Sequence, residues 1–290
     1  MSISSFRWRA ASALITAGAA AAAVLALAVP AGASTGTTEI SPEQAGYTAT
    51  GAQFKGITAA VFMRDPGQYT GEVAGFGHSV QLWSRDLVAT VGVTAPRGFG
   101  FYSTYAIIYD RSTHTVIASN PNAVACDADG NCGPGWNSFD PGQNVRLSIS
   151  YSPADGHLIM TANSDEGANF TSSYTATGQS FTQARVGTDF SSSWDGTDFS
   201  SSPWDGSYSY TPPANYVKVA AYNNVALTTY SGHTSTLWSW WVHHKLLANT
   251  EQQSGSDWVA IPTDLANGGA SFQTFFVPQS AQGSAQPVLP

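Results

Sequence analysis

The chain has 290 residues, a formal net charge of −8, and 42% hydrophobic but only 10% charged residues. That is enough for one large domain or two small ones with a real core. Eleven basic against nineteen acidic side chains leave nothing to neutralise a phosphate backbone, which excludes nucleic acid as a main partner.

The first segment reads as an export leader. Arg7 and Arg9 precede an apolar run from Ala10 to Val29, and Ala31-Gly32-Ala33 is a small-residue cleavage site. Residues 1–33 are therefore expected to be a secretory signal peptide, leaving a secreted protein with no membrane contact. Removing those two arginines leaves nine basic against nineteen acidic residues, a mature charge of −10. Lysine occurs only at Lys55, Lys218 and Lys245. A chain so poor in ion pairs loses little when carboxylates protonate, which permits acidic surroundings.

Residues 34–45 are polar and aperiodic, and read as a flexible lead-in. From Gly46 the chain reads as strands broken by turns. Ile57–Met63 precedes Asp65-Pro66-Gly67. His78–Ser84 and Leu87–Val93 flank Arg85-Asp86 and predict a hairpin. Phe101–Asp110 and Thr113–Ser119 follow. Asn144–Tyr151 alternates Val145, Leu147, Ile149 and Tyr151 with polar residues, the pattern of a half-buried strand. His157–Asn163 comes after the turn Pro153–Gly156. Ser180–Phe190 and Val217–Ser231 supply further strands, the latter one or two. Ser235–Thr250 fits helix or strand equally. Many short strands with Gly and Pro turns predict an all-β fold in one domain over 46–278, with a polar tail at 279–290.

Cys126 and Cys132 lie close together in an exported chain, so a disulfide is expected, worth about 2 kcal/mol for so short a loop. Between them Asp127, Asp129 and Asn131 have the look of a calcium loop, yet Cys132 and Ser138 stand where an EF-hand needs Gly and Glu. A stapled turn is the simpler reading. No GxSxG or HExxH occurs, and His243 and His244, adjacent on one segment, would point to opposite faces of a strand; no metal or other cofactor is expected. None of Glu39, Glu43, Glu72, Glu166 and Glu251 sits in a strand beside another acid, which disfavours a two-carboxylate glycosidase. Gly187–Gly206 reads GTDFSSSWDG followed by TDFSSSPWDG. Asp189 and Phe190 would close a strand, and the rest reads as a duplicated surface loop. A cation site built from Asp189, Asp195, Asp198 and Asp205 is the alternative.

The segments YTATGAQFKGITAAVFMRD, FDPGQNVRLSISY and ARVGTDF, in that order and spacing, resemble the glutamic peptidases, the eqolisin family. The resemblance spans Gly46 to Ser231. It implies an antiparallel two-sheet β-sandwich, a concanavalin A-like jelly roll. It also implies a catalytic Gln and Glu facing each other across one sheet. In this chain Thr90 falls at the Gln position, and counting back from Asp189-Phe190 puts Thr188 and Ala184 at the Glu positions, so no general base stands there. An acid hydrolase on shifted residues would have to use Gln81 or Gln183 with Glu72 or Asp110.

The expectation is thus a non-catalytic, secreted β-sandwich that binds an extracellular polymer, polypeptide or polysaccharide, on a concave sheet face. Alternation nominates Gln81, Trp83, Thr90, Tyr105, Gln183, Arg185 and Asp189 for that face. An acid endopeptidase of eqolisin type and a structural envelope or spore-surface protein are the alternatives.

Overall fold

The computed structural model describes residues 38–41, 44–64, 76–95, 101–135, 137–190, 217–237, 242–249 and 258–278. All lie in the compact unit Gly36–Pro290. The leader at 1–33, Glu72, the repeat beyond Phe190, Trp238, Trp240 and Trp241, and the tail at 279–290 lie outside the described residues.

Among the described residues nineteen strands follow in chain order. They are β1 (Thr38–Ser41), β2 (Gln44–Thr50), β3 (Phe54–Met63), β4 (Phe76–Trp83), β5 (Leu87–Ala95), β6 (Tyr102–Asp110) and β7 (Thr115–Ser119). Next come β8 (Val124–Cys126), β9 (Cys132–Pro134), β10 (Ser138–Phe139), β11 (Asn144–Ser152), β12 (His157–Ser164) and β13 (Asn169–Thr175). The last are β14 (Gln183–Phe190), β15 (Val217–Thr229), β16 (Thr234–Ser235), β17 (Val242–Asn249), β18 (Trp258–Pro262) and β19 (Phe272–Pro278).

They form two antiparallel sheets. The first runs β1–β17–β2–β14–β4–β5–β6–β7. The second runs β19–β15–β3–β11–β12–β13–β8–β9. β18 pairs with both β17 and β19 and joins the sheets along one edge. The β1–β17 pair is parallel. Among the described residues the one helical element is a 3-10 turn at Asn267–Gly269.

Local chemistry explains most of the expected elements. β11 shows the burial alternation its sequence predicts, with Val145, Leu147, Ile149 and Tyr151 buried. The β4–β5 hairpin closes on Ser84, whose N–H donates to the Leu87 carbonyl at 2.8 Å while its Oγ accepts from the Leu87 N–H at 2.9 Å. Gly156, at φ 72°, makes the left-handed step of the β11–β12 turn, and Asp155 caps that turn by accepting from the His157 N–H. Val217–Thr229 is one strand, not two, because Asn224 at φ 52° forms a bulge in place of a break. Val242–Asn249 is strand, which resolves the helix-or-strand ambiguity there. It pairs on both sides, so backbone partners rather than propensity decide its conformation.

One expectation is corrected. Residues 34–45 are not simply a loose lead-in, since β1 and the first residues of β2 fall within them. Thr38-Glu39-Ile40-Ser41 is too short and polar to show a period, but it completes an edge by pairing with Lys245–Ala248.

Between the sheets lies a core of small aliphatic side chains from the first sheet, such as Ala89, Val91, Val80 and Val186, against larger ones from the second. Tyr222 of β15 stacks on Phe272 of β19 with ring centroids 4.5 Å apart, and Tyr47 of β2 meets Phe272 edge-on. Buried among them is a polar knot. His78 Nδ1 lies 3.1 Å from the Tyr222 hydroxyl, and Thr188 Oγ1 is 2.9 Å from that hydroxyl and 2.8 Å from Thr274 Oγ1. These groups come from β4, β14, β15 and β19, so the knot ties one sheet to the other. Desolvation holds the His78 pKa down at about 3, and the ring is neutral.

Candidate functional site

Pairing register fixes which side chains share the outer face of the first sheet. One row across the strands is Gly46, Gly187, Ser79, Gly92 and Tyr105. Beside it, on one side, stand Gln44, Asp189 and Gly77. On the other side stand Thr48, Arg185, Gln81 and Thr90, followed by Gln183, Trp83, Val88 and Tyr109. All seven residues nominated by alternation therefore lie on one face.

At one end of this face the chemistry converges on Asp189. Gln44 Nε2 donates to Asp189 Oδ1 at 2.8 Å and also reaches Ser79 Oγ at 3.3 Å. The Tyr105 hydroxyl donates to Asp189 Oδ2 at 3.2 Å. Tyr105 starts on β6 and reaches β14 across two intervening strands. Gly92 makes that possible: a Cβ there would lie 2.6 Å from the tyrosine hydroxyl oxygen. Burial, and then the Asp189 charge, push the Tyr105 hydroxyl well above its usual range. Gln44, Ser79 and Tyr105 are buried, and Asp189 is half-buried.

The other end centres on Trp83. Its Nε1–H donates to Gln81 Oε1 at 2.7 Å, and Gln81 Nε2 donates to Ser79 Oγ, linking the two ends. The Arg185 guanidinium lies 4.2 Å from the indole centroid and that of Arg111 5.2 Å. With its amide oxygen turned toward Arg185, Gln183 accepts from Nε at 2.6 Å and Nη2 at 2.9 Å. Arg111 Nη1 donates to the Ser84 carbonyl at 2.7 Å.

The positions matched to the expected dyad do not face each other. Thr90 is on the outer face, whereas Thr188 and Ala184 point into the core. Two residues on opposite faces cannot face each other across one sheet. The acid sharing the Thr90 face is Asp189, one residue beyond Thr188. Its amide neighbour is Gln44, which lies in the segment read as lead-in and was missed for that reason. Asp110 does not approach Gln81 or Gln183. Its Oδ1 accepts from the Ser112 N–H and hydroxyl and from the Thr113 N–H, hydrogen bonds that lower its pKa. A Gln–Glu hydrogen bond does occur, Gln143 Nε2 to Glu166 Oε2 at 2.7 Å, but it ties two turns of the second sheet and stands away from this face.

Cys126 and Cys132 are joined. Asp127 closes the loop between them, accepting from the N–H groups of Asp129 and Asn131 and from Asn131 Nδ2. These bonds to Asn131 and the backbone lower its pKa and spend the carboxylate on the turn. Among the described residues no cluster of His, Cys, Asp or Glu is arranged to hold a metal ion. A shallow depression of about 430 Å³ on the outer face of the second sheet is lined by Lys55, Thr58, Ser148, Ser150 and Thr228. It carries no acid–base pair and lies on the other sheet from Asp189.

The fold is a two-sheet β-sandwich similar to that of solved glutamic peptidases. Scytalido-glutamic peptidase, solved with a transition-state analog inhibitor, superposes with a TM-score of 0.56 at 13% identity, covering 81% of this chain and 98% of that one. A second structure of the same enzyme, with a peptide-based transition-state analog, gives a TM-score of 0.53 at 13% identity over the same shares. SCP-B, an eqolisin solved with the tripeptide Ala-Ile-His, gives 0.52 at 12% identity over the same shares. No family model and no curated protein matches the sequence. At this identity the likeness is one of fold.

Proposed function

We propose that the chain is an exported polypeptide-binding protein that carries the glutamic-peptidase fold without its dyad. An extended segment of a partner lies on the outer face of the first sheet, between Asp189 and Trp83. The observation that carries this reading is the engagement of Asp189. A general base needs a lone pair aimed at water, and an oxyanion needs an amide aimed at substrate. Here the Gln44 amide is turned onto the carboxylate itself, and Tyr105 donates to the other oxygen. Peptide is favoured over glycan because guanidinium groups lie over the Trp83 ring, which leaves it a poor stacking platform for a sugar. The solved structures that share the fold hold peptide ligands in two of the three cases named above. The leader and the Cys126–Cys132 disulfide fit export to an oxidising compartment.

The test is incubation of the purified protein with denatured casein and with extended peptides at pH 2 to 7. Binding is read by fluorescence anisotropy and cleavage by mass spectrometry. Saturable peptide binding with intact peptides is expected. Cleavage abolished by Asp189→Asn would replace this reading with an acid hydrolase in which Asp189 is the base and Gln44 the amide donor.

A further inference from the structure

The outer face of the second sheet carries a charge that strand alternation alone would send into the core. On β3 both Phe54 and Ile57 are core residues, so two positions separate them where alternation allows one. Pairing with β15 gives the cause. Thr229 stands opposite Phe54 and Thr228 opposite Gly56, so Lys55 is an extra residue in a β-bulge. The bulge puts the half-buried Lys55 on the outer face, where it lines the depression of about 430 Å³. Its Nζ reaches the turn after β15, 3.8 Å from where a Cβ on Gly232 would stand. Register also explains the depression itself. One row across β15, β3 and β11 is Thr228, Gly56 and Ser150, and the next is Ala226, Thr58 and Ser148. Gly56 has no side chain, so Thr228 and Ser150 stand as walls on either side of a bare backbone floor.

The lining is hydroxyls and one cation. Thr58 Oγ1 donates to the Leu147 carbonyl at 3.2 Å, Ser148 Oγ lies 2.8 Å from Thr161 Oγ1, and Thr228 Oγ1 lies 3.0 Å from Thr234 Oγ1. A hydroxyl has one proton and two lone pairs, so these groups keep acceptor capacity toward a ligand. Ser150 is exposed. No acid lines the depression. Asp155, the acid nearest to it in sequence, is held in its own turn by Ser152 and by the His157 N–H. Among the described residues no carboxylate forms an ion pair with Lys55, in a chain of net charge −8.

We infer that this depression is a second binding site, which takes an acidic sugar, with the sugar carboxylate on Lys55 and its hydroxyls on Thr58, Ser148, Ser150 and Thr228. An ammonium and a carboxylate form a charge-assisted hydrogen bond, and sugar hydroxyls, like those of Ser and Thr, both donate and accept. An extended peptide is poorly served here. β3 is paired along both flanks, so it offers no backbone edge for an added strand. The site lies on the other sheet from Asp189 and does not depend on the peptide-binding reading.

The probes are cellobiose and its mono-uronate, the same disaccharide with one primary alcohol oxidised to a carboxylate. Methyl-labelled mature protein reports by NMR where each one binds. The uronate should shift the Ala226, Thr58 and Thr228 methyls and leave the Trp83 indole unmoved. At low salt it should bind about threefold tighter than cellobiose, as for one exposed ion pair. The ratio should shrink toward one as salt shortens the Debye length. Lys55→Gln should bring the uronate down to the affinity of cellobiose, and Lys55→Arg should keep the preference. Peptide binding on the first sheet should be the same in Lys55→Gln as in the unaltered protein. Equal binding of the two sugars at every salt concentration, or depression methyls that neither sugar moves, would overturn the site. A Glu-bearing peptide that shifts those methyls when the uronate does not would overturn it in favour of a polypeptide. The comparison of the two sugars on the unaltered protein decides the matter if Lys55→Gln fails to fold.

Discussion

Replacing His78 with Gln should flatten the protein's response to acid. The wild-type imidazole is fully buried, faces Tyr222, Thr188 and Tyr102, and its pKa is held down at about 3 by desolvation. In the unfolded chain it returns to 6.5. Between those values the unfolded state binds a proton that the native state refuses. The unfolded form is therefore favoured as pH falls, and stability rises with pH across the window. Going from pH 7.5 to pH 4, the linkage amounts to about 3 kcal/mol. Complete loss, below the native pKa, would approach about 5 kcal/mol. The carboxylates are common to both proteins and cancel in the comparison. Urea unfolding at pH 7.5 and pH 4 measures the effect, and with a slope near 3 kcal/mol per molar the wild-type midpoint should drop by about 1 M more than that of the variant. His78→Gln will itself cost stability at pH 7.5, because the knot is re-bonded imperfectly; only the difference between the two pH values matters. Equal losses in both proteins would refute the assignment of a neutral, desolvated His78.

Other perturbations test the face and the loop. Tyr105→Phe removes the donor on Asp189 Oδ2 and should destabilise by about 1.5–3 kcal/mol, as for a hydrogen bond to a charged group, read by thermal or urea unfolding. A loss under a few tenths would mean the bond is not made in solution. Gly92→Ala should be severely damaging, since the new Cβ meets the His78 carbonyl oxygen at 2.5 Å and backbone cannot swing aside. A variant with wild-type unfolding would show that β4 and β5 pack more loosely than described. Opening the disulfide with Cys126→Ser and Cys132→Ser together should cost about 2 kcal/mol and lower the melting temperature by about 4–8 °C, and an unchanged midpoint would mean that the loop is held by Asp127 alone.

Alternation and turn chemistry are local, and the sequence carried them. Asn144–Tyr151 is a half-buried strand because every second residue is apolar, and nothing distant is needed to see it. The same holds for the β4–β5 hairpin and the disulfide loop; parity within a strand likewise groups Gln81 with Trp83, and Gln183 with Arg185 and Asp189, while pairing register joins those groups on one face. What the sequence did not contain is which strands become neighbours. Gln44 and Asp189 are 145 positions apart and meet only because β2 pairs with β14. Tyr105 reaches that carboxylate only because Gly92 lies beneath it on the next strand. The polar edge strand β1 has no period of its own and exists because β17 offers it a backbone edge. The motif resemblance put Thr188 where a catalytic acid was sought. Pairing register alone shows that Thr188 faces the core beside Tyr222 and that Asp189 faces outward, because one step along a strand turns a side chain to the opposite face of the sheet.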